Sequence, residues 1–236
     1  MSGQGLHNLA RFGRDQRGTT MIEFAICMSL FLLIFFAVLD FGRLAYNWVM
    51  AEKAMQRAVR IAAVRPPICP GLPLINVRAD LSDGTFPAGT LCRESAGLCA
   101  SAPAAICTLT TADPANPEAQ AAASEIWTAV QAMLPEASSG VPISGANVML
   151  RYDYTPQLGF LGGPYTPMIT AQLVGPPGDG GAFGNFNFTF VTPLSALAAA
   201  AGVDDTTGIP TEGASIPFPD VSATIPAEDM NLGGRG

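Results

Sequence analysis

From Met21 to Leu39 every side chain is apolar except Glu23 and Ser29. Nineteen residues of helix rise about 28 Å, close to the roughly 30 Å hydrocarbon core of a bilayer. The pattern therefore predicts a transmembrane helix over about 21–39. Beyond Asp40 the period changes. Leu44, Trp48, Ala51, Met55, Ala58 and Ala62 recur in steps of four and three, a single helical stripe, while Arg43, Lys53, Arg57 and Arg60 mostly occupy the other side. Pro66-Pro67 ends the helix, because proline lacks the amide donor and disfavours helix in the residue before it. The predicted helix runs from Thr19 to Val64, about 69 Å if continuous. Its lower half suits lipid or the apolar core of a helical assembly. Its upper half suits a globular domain, and packing in that domain's own core is preferred to packing on a partner helix.

Polar and apolar positions after the prolines predict a small α+β domain. Segment 66–112 reads as irregular and held by cysteines. A second helix is expected from Asn116, a capping residue, with Pro117 at its first position and Glu118 in its first turn. Ala122, Ile126, Val130 and Met133 form its apolar face, and Pro135 ends it. Val148, Leu150, Tyr152 and Tyr154 then alternate with Met149, Arg151 and Asp153, which predicts a strand over Asn147–Tyr154. Met168–Val174 is a second strand. Phe186, Phe188 and Phe190 alternate with Asn187 and Thr189 in a third, Asn185–Val191, where the aromatic face reads as core. The Gly- and Pro-rich stretch Gly175–Gly184 is expected to join the last two strands as a long hairpin. Leu194–Ala201 reads as a short helix ending at Gly202. Segment 204–236 is rich in proline and acids and reads as partly disordered, apart from a strand at Ser222–Ile225. The organisation expected is thus a leader 1–18, a long helix 19–65, the cysteine segment 66–112, a helix-and-strand segment 113–203 and the tail 204–236, shaped as a lollipop.

Charge and cysteine content narrow the compartment. Arg11, Arg14 and Arg17 precede the span against one acid, Asp15, which favours a cytoplasmic N-terminus and an extracytoplasmic remainder, although Arg43 and the basic residues to Arg65 pull the other way. Phe36–Phe41 contains no small-x-small site of the kind an ordinary secretory signal needs. Of 236 residues, 49% are hydrophobic and 13% charged, and the net charge is −7. After Pro66 the balance is four arginines against 15 acids, a net of −11, which argues against nucleic acid and anionic membrane surfaces as partners. Cys27 lies inside the span and reads as a small apolar residue. Cys69, Cys92, Cys99 and Cys107 read as two disulfides formed in an oxidising compartment. Three pairings are open, the nested one with Cys92–Cys99 inside Cys69–Cys107 being preferred. Their irregular spacing, with no Cys-x-x-Cys, disfavours zinc.

An inventory of reactive groups points away from catalysis and from any cofactor. His7 is the sole histidine and lies ahead of the span, and Lys53 is the sole lysine. No imidazole remains for a Ser–His or Cys–His pair or for a metal. The carboxylate pairs Asp204-Asp205 and Glu228-Asp229 sit in segments that read as solvated loop. Gly175-Pro-Pro-Gly-Asp-Gly-Gly lacks the lysine and the strand-to-helix setting of a phosphate loop. Asn187-Phe-Thr matches a glycosylation sequon but lies mid-strand.

The remaining anomaly is Glu23. A carboxylate at the bilayer centre costs about 2.5–3.5 kcal/mol on insertion scales, and this one follows Gly18 at a fixed distance: cleavage after Gly18 would make Thr19 residue one and Glu23 residue five. Gly18, four intervening residues, Glu23 and the aromatic Phe24 resemble the processing site of type IV-like prepilins. The wider stretch Gly-Thr-Thr-Met-Ile-Glu-Phe-Ala, with Leu39-Asp40-Phe41-Gly42-Arg43-Leu44-Ala45-Tyr46, is similar to the TadE-like family, minor pseudopilins of the tight-adherence (Flp) pilus system. The resemblance covers about Gly18–Val64, with a looser echo at Val191-Thr192-Pro193-Leu194 and Val221-Ser222-Ala223-Thr224. The chain departs from relatives in two places: major Flp pilins usually carry Glu-Tyr where this chain has Glu23-Phe24, and many relatives have a proline where it has Ser29.

The resemblance implies a membrane aspartyl prepilin peptidase that cuts between Gly18 and Thr19 on the cytoplasmic side. It implies assembly through Glu23 and Phe24 with a companion minor pseudopilin, the major Flp pilin and the inner-membrane pilus platform. The setting it implies is the bacterial inner membrane, crossed once, with the C-terminal domain in the periplasm and entry into the pilus after cleavage. A different class of reading is an uncut single-pass anchor bearing a periplasmic scaffold or binding domain; a third is an adhesin at a pilus tip.

Overall fold

The computed structural model describes residues 19–79, 86–135, 143–175, 187–190, 215–228 and 230. The leader with His7 and Gly18, nearly all of the Gly175–Gly184 loop, Asn185 and Phe186, the Leu194–Ala201 helix, Asp204-Asp205 and Asp229 lie outside the described residues. The elements are α1 (Thr19–Val64), β1 (Ala105–Thr108), α2 (Pro117–Val130), β2 (Val148–Asp153), β3 (Met168–Leu173), β4 (Asn187–Thr189), β5 (Ser215–Pro217) and β6 (Ser222–Pro226). The protein is α+β, with one long N-terminal helix, a second helix and an antiparallel sheet.

Contacts divide the chain into two units, one of residues 1–43 and 190–214, the other of residues 44–189 and 215–236. In the first, α1 presents its apolar side chains outward: Met21, Ile22, Phe24, Phe31, Ile34 and Val38 are all exposed. Ser29 would leave a hydroxyl unsatisfied in lipid, but its Oγ donates to the Ala25 carbonyl one turn back, at 2.8 Å. Phe31 stacks on Phe35 and Phe41 meets Phe190 edge-on, both with ring centroids about 6 Å apart. Cys27 is a free, exposed thiol on this half of the helix.

In the second unit, Ala51, Met55, Ala58 and Ala62 are buried, joined by Ala54, Val59 and Ala63. The upper stripe is therefore core, and five of its seven buried residues are alanines, which let neighbouring backbone approach closely. Trp48, at the stripe's lower end, remains 39% exposed. After Val64 the chain is fastened at once. The Ala63 carbonyl, one of the helix's orphan acceptors, takes the Glu228 amide at 3.0 Å, and the Ile68 amide donates to the buried Tyr152 hydroxyl at 3.3 Å. Burial pushes the Tyr152 pKa up to about 12. Arg65 grips Glu125 of α2 with two nitrogens, at 2.9 and 3.0 Å.

The second helix begins as its sequence dictates. Asn116 accepts from the amides of Glu118 and Ala119, Pro117 takes the first position, and Ala119, Ala122, Ala123, Ile126 and Val130 are buried. The main sheet has the order β1-β2-β3-β6 and is antiparallel throughout. Its register aligns Val148 with Leu173, Leu150 with Ala171 and Tyr152 with Ile169, and all six are buried. On the other face Arg151 binds Asp153 at 2.8 Å, and Thr170 meets Thr224 at 2.8 Å. One face is core and the other carries Arg151, Asp153 and Thr170; the alternation is regular in β3 and interrupted in β2 by Met149, which is buried on the polar face.

The topology corrects two expectations. Segment 66–112 is not wholly irregular: Ala105–Thr108 forms the edge strand β1 and pairs with β2. A four-residue strand with only two buried positions is too short to generate a periodic signal. Secondly, β3 and β4 do not form a hairpin. Both edges of β3 are occupied, by β2 and by the late strand β6, while β4 pairs with β5 in a separate two-stranded sheet. A glycine-rich connector marks a turn without stating which strand the chain meets afterwards, and long-range pairing prevailed. The segment read as partly disordered contributes β5, which was not expected, and the strand expected there at Ser222–Ile225 is β6.

Of the three cysteine pairings, the structure has Cys69–Cys107 and Cys92–Cys99. The first ties the exit of α1 to β1. The second closes a small loop whose turn uses Gly97 at φ +75°, a conformation costly for other residues; Cys92, Leu98, Cys99 and Leu161 form a local cluster with Phe86 and Tyr154 against it. In the chain-entropy account, stabilisation grows with the length of the closed loop, here separations of 38 and 7 residues. Replacing both cysteines of Cys69–Cys107 by serine should therefore cost about 4 kcal/mol of stability, against about 2 kcal/mol for Cys92–Cys99. Denaturant titration of the two double variants checks the order; equal losses would contradict it.

Candidate functional site on the N-terminal helix

The residues expected to matter lie on the first turns of α1. Thr19 is its first residue, and Glu23 and Phe24 follow within it, both exposed; Gly18 lies outside the described residues. Thr19 and Glu23 are four apart, so they share one helix face about one turn from each other. Glu23 makes no ion pair or hydrogen bond through its side chain with any described residue. Its surroundings along the chain are Met21, Ile22, Phe24 and Ile26, all more than half exposed. The helix is long and apolar enough to cross a membrane, and none of its most apolar 18-residue window is buried within the protein. A carboxylate in that setting has two outlets, a headgroup region or a cation supplied from outside the chain.

The other sequence candidates belong to the second unit. The four disulfide cysteines stabilise the second unit. Asp40 is a residue whose setting sequence reasoning missed: it is 2% exposed, between the exposed Leu39 and Phe41. The only signal was an acid placed directly after an apolar run, which read as a flank. Among the described residues no group of three or more His, Cys, Asp or Glu side chains could hold a metal. A groove of about 470 Å³ beside α2, lined by Leu109, Thr110, Gln120, Ser124 and Trp127 among others, contains no titratable side chain.

Fold and site together define a class: an α+β protein with, among the described residues, one N-terminal helix able to span a membrane and an acid near the start of that span. Residues 18–60 match the model of the family of TadE-like proteins. The match covers all of α1 but its last four residues and includes Gly18, Thr19, Glu23 and Phe24. The chain matches no curated protein and no solved structure.

Proposed function

We propose that this protein is a minor pseudopilin of a tight-adherence pilus system, cut after Gly18 by a prepilin peptidase and assembled through α1. The observation that carries the reading is an unpaired Glu23 in an exposed apolar helix, five residues past Gly18, inside the stretch that matches the TadE-like family. Cleavage would place a new ammonium group on Thr19. Because Thr19 and Glu23 lie one turn apart on one face, a parallel helix offset along its axis meets both charges. The amine of one chain pairs with Glu23 of the next, and two groups that are costly alone in low dielectric satisfy each other. The pair sets axial register, while Phe24 and the apolar side chains above it supply the packing.

In this reading the N-terminus is cytoplasmic, the span lies in the inner membrane and the second unit is periplasmic, where its disulfides form. The partners are a companion pseudopilin, the major Flp pilin and the membrane platform. The protein's work is assembly rather than catalysis, in keeping with a family that is not one of enzymes. N-terminal sequencing of the membrane-extracted protein should read Thr-Thr-Met-Ile-Glu. A start at the leader would instead leave a permanently anchored scaffold.

A further inference from the structure

The outward face of the upper half of α1 carries a feature that membrane insertion does not explain. Lys53, Arg57 and Arg60 are all exposed, at spacing i, i+4, i+7 along one face, opposite the buried alanines. None of the three is ion-paired with a described residue, whereas Arg65 is held by Glu125. No carboxylate stands three or four positions from any of them in either direction. Like charges at such spacings destabilise a helix by a few tenths of a kcal/mol per pair. The stripe is therefore a local cost without local compensation, unlike the mixed-sign pattern usual on a solvated helix.

The charge that would compensate it lies elsewhere in the same chain. After Pro66 the net charge is −11, and Glu94, Glu118, Asp220 and Glu228 are exposed without an ion-pair partner among the described residues. Lipid fits less well. Lys53 stands about 21 Å of helical rise beyond Leu39 and Arg60 about 32 Å, while the headgroup layer on each side is only about 5–8 Å deep. A tilt of 40° does not close that gap. We infer that this face docks the acidic domain of a second copy of this chain. Several charges acting together then provide orientation and register that one exposed pair could not. The contact stands whether or not the leader is cut, so its failure would leave the processing reading untouched.

Lys53 makes the inference directly testable, because it is the chain's sole lysine. Full-length protein labelled with ¹⁴N and ¹⁵N, mixed before reconstitution into nanodiscs, is treated with a carbodiimide that joins amines to carboxylates. Peptide mapping separates Lys53 from the terminal amine. Mixed-isotope links from Lys53 to acids after Pro66 are expected, falling at least tenfold in 0.5 M salt and in R57E/R60E, which keeps the reporting lysine. Both arginines are exposed, so the variant's thermal melt should match the parent; if it does not, R57Q/R60Q serves in its place. Links confined to one isotope, or mixed links undiminished in the variant, overturn the proposal. Protection of Lys53 from acetylation in phosphatidylglycerol but not phosphatidylcholine nanodiscs would assign the stripe to lipid and overturn it too.

Discussion

Replacing Gly18 by valine should leave the chain uncut in its native membrane, as a single species 18 residues heavier than the processed protein. The expectation rests on where the bond lies. It joins Gly18 to Thr19, where α1 begins, so a cut there would fall at the start of a helix that is continuous to Val64. Glycine has no Cβ and leaves the backbone open to close approach by a peptidase; a β-branched residue both crowds the bond and stiffens it. The effect should be all or none. Intact-mass measurement of wild type and variant, expressed with the cognate peptidase, reads it without ambiguity. The variant should still insert, since the span 21–39 is unaltered, and its second unit should keep both disulfides. Processing at the wild-type position in the variant would remove the pseudopilin reading.

Replacing Glu23 by leucine should abolish co-assembly while leaving insertion and cleavage intact. Insertion should become easier, because the acid is the costly residue of the span. The loss falls on the neighbour. With Glu23 gone, an assembled helix would hold the N-terminal ammonium of the neighbouring subunit in low dielectric with no counter-charge. Removing one partner of a buried pair typically costs about 3–5 kcal/mol, or a hundredfold and more in the association constant. Co-purification of tagged variant with the companion pseudopilin and major pilin, after confirming a Thr19 start, measures it. Glu23→Asp keeps the charge on a shorter stem and should retain part of the assembly. Wild-type co-purification of the leucine variant would exclude charge pairing and leave apolar packing as the whole of the interaction.

The N-terminal candidate site can be proposed from the sequence because it rests on local order alone: a glycine, a fixed spacing, an acid and an apolar run. Legible in the sequence were α2, where Asn116-Pro117 carries cap and first turn in adjacent residues, and β2 and β3, whose alternation, broken only by the buried Met149, records a sheet with one wetter face. Asp40 was not legible. Its burial depends on what its face of the helix meets, and no local pattern encodes that. The basic stripe on α1 could be read as a set of positions, but its meaning required knowing that Ala51, Met55, Ala58 and Ala62 turn inward and leave Lys53, Arg57 and Arg60 outside.

By itself, the sequence determined the extent of α1, its division into an apolar lower half and an amphipathic upper half, the start of the second helix, and the register between Gly18 and Glu23. Each follows from side-chain periodicity or from contacts within about one helical turn, where neighbours in space are neighbours in sequence. Only the tertiary structure decided that β3 lies between β2 and β6, that β4 leaves it for β5, that Ala105–Thr108 forms the sheet edge, and that Cys69 meets Cys107. Those contacts close loops of tens of residues. Their free energy comes from packing and pairing between segments whose separate patterns fit several partners equally well, and only the assembled core distinguishes among them.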